Sequence, residues 1–98
     1  MTEHLPAPWY LLTDDHLRAS LEAELIRELA PAHALANVPI RIIAKRDDQD
    51  DVLVALDQGR VAQVRLTWSR RRESDPRWPE TAIYGAIEEW RIACNGRE

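Results

Sequence analysis

Residues 52–66 read Val52-Leu53-Val54-Ala55-Leu56-Asp57-Gln58-Gly59-Arg60-Val61-Ala62-Gln63-Val64-Arg65-Leu66. Two apolar stretches flank a polar link, and Gly59 stands where a type I turn followed by a bulge requires a left-handed residue. That turn sets the pairing: Leu56 faces Arg60, Val54 faces Ala62 and Val52 faces Val64. Val52, Val54, Leu56, Ala62, Val64 and Leu66 then share one face. A slip of one residue would send the two apolar sets to opposite faces, so turn chemistry and hydrophobic pattern agree on one register. The same register sets Asp51 against Arg65 and Leu53 against Gln63 on the other face.

Working outward, residues 52–56 are apolar on both sides, which suits a middle strand with some cover on each face. Upstream, residues 38–46 alternate loosely, with Ile40, Ile42 and Ala44 against Arg41, Ile43 and Lys45. The link from Asp47 to Asp51 is too short and too polar for a crossover helix, so these strands pair antiparallel. Downstream, residues 61–68 alternate strictly. A polar, proline-bearing connection, 69–79, leads to Thr81-Ala82-Ile83-Tyr84, a candidate fourth strand. Gly85 with Glu88 resembles a capping box, followed by a helix with Ile87, Trp90 and Cys94 on one side and Gly96 as its stop. A single helix from Glu80 to Cys94, with Gly85 inside it, is the other reading of this segment.

Toward the N-terminus, Leu17, Leu21, Leu25 and Leu29 recur every four residues, and Ile26 widens the stripe. Thr13 is the expected N-cap and Pro31 the stop, with a short second helix through Ala36 as a further option. Pro6 and Pro8 before Trp9-Tyr10-Leu11-Leu12 make residues 1–12 an irregular arm docked on the body. The expected fold class is α+β: an N-terminal helix, an antiparallel meander of three to four strands and a short C-terminal helix, in a single domain over 1–98. The helices are expected to pack mainly on one face of the sheet.

The chain has 98 residues, of which 45% are hydrophobic and 31% charged, with a formal net charge of −4. These values exclude a collagen-like or disordered chain and disfavour a general nucleic-acid binder. No stretch approaches about 18 apolar residues, so no membrane span is expected. The first residues lack a basic segment followed by an apolar run, and Cys94 is the single cysteine. Both point to a cytoplasmic protein.

No spacing that carries chemistry is complete. Asp47, Gln49 and Asp51 occupy alternate positions, as oxygen ligands of a calcium loop do. However, Val52 replaces the required glycine and Gln58 the closing glutamate, so a solvated hairpin loop is expected. His4, His16 and His33 have no second ligand at metal-binding spacing. His33 reads as a packed or surface histidine, and Cys94 as a buried thiol. Ser69 and Ser74 lack the glycine frame of a nucleophile elbow, and the adjacent Glu88 and Glu89 diverge on a helix. No catalytic, cofactor-binding or metal-binding residue is assigned, no cofactor is expected, and the chain does not read as an enzyme.

Residues 60–77 hold six arginines against two acids, Glu73 and Asp75, with Trp68 and Trp78 near the run. In a chain without phenylalanine, Trp9, Trp68, Trp78 and Trp90 are expected in the core or at its edge, with a functional aromatic surface led by Trp78 as the other reading. Together with the half-apolar second sheet face, the expected interaction surface is Ile43, Leu53, Arg65, Trp68, Arg70, Arg71, Arg72 and Trp78. Its expected partner is another protein or a second copy of the chain. The alternative is nucleic acid gripped by the Arg/Trp segment 68–78.

Residues 50–56, then Val64-Arg65-Leu66-Thr67-Trp68-Ser69 and Pro76-Arg77-Trp78-Pro79-Glu80-Thr81, resemble a group of short bacterial proteins of uncharacterised function. The resemblance covers roughly the second half of the chain. In that group a histidine precedes Leu-Thr-Trp, where this chain has Arg65. The resemblance implies a small bacterial α+β domain and no activity, cofactor or partner.

Overall fold

The computed structural model describes residues 5–67 and 79–95. Its elements run β1 (Trp9–Leu11), α1 (Asp15–Glu28), β2 (Arg41–Arg46), β3 (Asp51–Ala55), β4 (Val61–Arg65), β5 (Glu80–Tyr84) and α2 (Ile87–Asn95). The five strands form one antiparallel sheet in sequence order. The fold is therefore α+β, with an N-terminal helix and a short C-terminal one. The sheet has one strand more than the sequence suggested, because Trp9-Tyr10-Leu11 pairs with β2 rather than forming an irregular arm.

The β3–β4 hairpin has the expected register, from Asp51 opposite Arg65 to Val54 opposite Ala62. Its turn differs in type. Gln58 takes φ 58° and ψ 28°, Gly59 takes φ 76°, and the Arg60 amide donates to the Asp57 carbonyl at 3.1 Å. Two successive left-handed residues make a type I′ turn, whose twist matches that of the flanking strands. The register survives because Asp57 supplies the extra residue that the bulge was expected to supply.

α1 starts one residue later than expected. Asp14, not Thr13, is the N-cap: its Oδ1 accepts from the amides of His16 and Leu17, and its charge also suits the helix N-terminus. The helix stops at Glu28, and Leu29 is already extended. Residues 31–37 form turns rather than a second helix. Leu21 and Leu25 are buried, but Ile26 is 60% exposed, since it lies about 100° round the helix from Leu25. Glu24 and Glu28 are buried in its place.

The helices cover opposite faces of the sheet, not one face. Leu21 and Leu25 pack with Leu12, Leu35, Ile42, Val52, Val54, Ala62, Val64 and Leu66 on one side. Trp90 packs with Trp9, Ala44, Leu53 and Val61 on the other, joined by Ile43, Ile87 and Cys94. Trp9 and Trp90 meet edge to face, with ring centroids 5.1 Å apart. Each fully buried valine, leucine or isoleucine of these two cores contributes about 1.5–3 kcal/mol. A bulge at Ile43 divides β2 between the two cores: Ile42 pairs with Val54, whereas Ala44 pairs with Leu53. Ile42 and Ala44 therefore face opposite ways, against the alternation read from sequence.

Candidate interaction surface

Each residue of the expected surface has a definite place or lies outside the described residues. Leu53 is fully buried beneath Trp90 and is removed from any surface. Local spacing does not show what closes that face, and a single short helix carrying one large ring is enough to close it. Ile43 is half-buried against the same cluster. Arg65 stays at the rim, with about half of its side chain exposed. Trp68, Arg70, Arg71, Arg72 and Trp78 lie outside the described residues.

Arg65 heads a polar chain that runs under α2. Its Nε donates to Asp51 Oδ1 at 2.8 Å, and an NH2 group donates to Gln49 Oε1 at 2.7 Å. Gln63 Nε2 donates to Asp51 Oδ2 at 2.8 Å, and Trp90 Nε1 donates to Gln63 Oε1 at 3.0 Å. The order of donors is forced. An indole only donates and a carboxylate only accepts, so the Gln63 amide has one usable orientation between them. Asp51 is buried, and its hydrogen bond and charge hold the Arg65 guanidinium more firmly protonated than usual. Gln49 and Asp51, two of the three calcium-loop positions, are thus committed to Arg65. A cleft of about 290 Å³ opens beside this chain, bounded by Asp51, Gln63, Arg65, Glu80, Thr81 and Ala82.

His33 is buried and bridges the turn after α1 to the start of β5. Its Nδ1 accepts from the Leu35 amide at 3.0 Å, so the ring hydrogen sits on Nε2 and donates to the Pro79 carbonyl at 2.9 Å. Thr81 Oγ1 lies 3.2 Å from the same Nε2.

The sheet edges differ in how they are finished. On the β1 side, alternate residues of an antiparallel strand turn their amide and carbonyl outward. The Trp9 amide is taken by the Pro6 carbonyl at 2.9 Å. Where β2 runs on past β1, α1 caps it: Arg18 Nε donates to the Ile42 carbonyl at 3.0 Å, and the Ile42 amide donates to Glu22 Oε2 at 2.9 Å. On the β5 side the pattern is read from the hairpin. Leu56 donates to Arg60 and Leu66 to Asp50, so the even-numbered residues of β4 bond to β3. The odd-numbered ones, Val61, Gln63 and Arg65, bond to Tyr84, Ala82 and Glu80. Thr81 and Ile83 therefore point both backbone groups away from the sheet, and no described residue bonds to them. Their side chains lie on the α1 side, where Ile83 is 42% exposed. The strand itself was legible in the sequence, but its free edge follows only from register carried across three strands.

No family model matches the chain, and neither does any curated protein or solved structure. Among the described residues, no helix is long and apolar enough to cross a membrane.

Proposed function

We propose that this protein is a non-enzymatic protein–protein interaction module that takes a partner along β5. The observation that carries this reading is the β5 edge: among the described residues nothing bonds to the outward groups of Thr81 and Ile83, whereas on the other side of the sheet Pro6 takes the Trp9 amide, and Arg18 and Glu22 take both outward groups of Ile42, leaving Leu11 the residue of β1 with both groups open. A strand laid against such an edge gains main-chain hydrogen bonds from geometry already in place. Open edges are a liability that proteins ordinarily blunt, so an unblunted one beside an exposed isoleucine is a site for a strand to add. The polar chain from Arg65 to Trp90 serves to fix α2 on the sheet, which holds β5 against β4.

The test compares the wild-type chain with Ile83→Pro. Proline removes only an outward amide at this position and leaves the β4 ladder intact. Association of any kind, with itself or with proteins of the source cell, is measured for both chains, with thermal unfolding as the check on folding. Loss of an association in a folded Ile83→Pro chain is the expected result. An association indifferent to the change, or none at all in the wild type, overturns the reading.

A further inference from the structure

We infer that the strand occupying the β5 edge is β5 of a second copy, paired antiparallel about a two-fold axis through Ala82; this rests on the interaction reading above and names its partner. In that register Thr81 lies opposite Ile83 of the other copy, and Glu80 lies opposite Tyr84. The outward groups of Thr81 meet those of Ile83 as a hydrogen-bonded pair, and the two-fold repeats the pair. The edge's free donors and acceptors are thus consumed by the same edge turned around. The register uses the strand from end to end.

Three further features fit a second copy. The two Ala82 residues meet on the axis as a non-hydrogen-bonded pair, where opposed Cα atoms come within about 4.5 Å and two methyl groups fit without a clash. No like charges face one another, because Glu80 meets a tyrosine. A two-fold axis normal to the sheet keeps both α1 helices on one side and both α2 helices on the other. The exposed Ile83 side chain is then covered by Thr81 of the second copy, on the face where both already lie.

The register is tested by cysteine cross-linking in a Cys94→Ala background. Opposed Cα atoms about 4.5 Å apart fall inside the range a disulfide spans, about 4.4–6.8 Å. Ala82→Cys is expected to give a disulfide-linked species of twice 11.3 kDa under mild oxidation. Glu80→Cys is expected to give no disulfide-linked species, because the two positions 80 lie roughly 14 Å apart along the strands. Sedimentation of the untouched chain is expected to give the dimer mass, and Ile83→Lys, which sets two ammonium groups diagonally across the pair, the monomer mass. A wild-type dimer in which Glu80→Cys links and Ala82→Cys does not overturns the register. A monomeric wild type that still loses a foreign partner on Ile83→Pro overturns self-pairing and leaves the interaction reading standing. A wild type with no association at all overturns both.

Discussion

Replacing Asp51 with asparagine is expected to destabilise the protein by an amount that depends on Trp90. Asp51 accepts from Arg65 and from Gln63, and Gln63 is held by the Trp90 indole. An asparagine keeps one acceptor and puts an NH2 where the other was. It can satisfy Arg65 or Gln63, not both, and Gln63 cannot turn over without facing its own NH2 to the indole. The buried bond to Gln63 is worth about 1.5–3 kcal/mol as a charge-assisted interaction. Arg65 is about half exposed, so its share is screened to roughly 0–1 kcal/mol. Asp51→Asn should therefore cost about 2–3 kcal/mol. In a Trp90→Phe background the indole donor is gone and Gln63 can rotate, presenting its oxygen to the new NH2. There the same change should cost about 1 kcal/mol, giving a coupling of roughly 1–2 kcal/mol. Urea unfolding followed by peptide circular dichroism measures all four chains without relying on tryptophan emission. Costs that add to within about 0.5 kcal/mol would refute the one-way donor order.

Two further outcomes follow from buried hydrogen bonds and backbone angles. His33→Ala leaves the Leu35 amide without its acceptor and should cost about 1–3 kcal/mol, whereas His33→Asn, whose oxygen can accept from the residue two positions on, should cost less. Equal unfolding midpoints for the two would sink that account. Gly59→Ala places a side chain at φ 76° in open space, so its cost should be backbone strain alone, about 1–2 kcal/mol, with β3–β4 register retained by NMR.

The sequence made the hairpin legible because two independent signals met there. A glycine at the tip and an apolar set on each arm admit one register. β2 offered no such agreement. Ile40, Ile42 and Ile43 satisfy either alternation, so the bulge that splits Ile42 from Ala44 left no mark in the pattern. α1 misled through its leucines. Leu21, Glu24, Leu25 and Glu28 recur at helical spacing, so the buried acids sit inside the stripe, but charged residues are ordinarily assigned to the wet side. The clamp of Arg18 and Glu22 on Ile42 joins residues 20 and more positions apart, beyond the reach of local spacing. Of the candidate surface, the hairpin register alone sets Arg65 opposite Asp51, whereas nothing in the sequence says that Trp90 covers Leu53.

β3 has consequences for how the molecule comes apart. Val52 and Val54 plug one core while Leu53, between them, plugs the other, so five consecutive residues act as a party wall. Neither room can be emptied without pulling down the partition they share. The two helices, although on opposite sides, should lose their footing at the same moment. A chain with this little interior thus melts as one body.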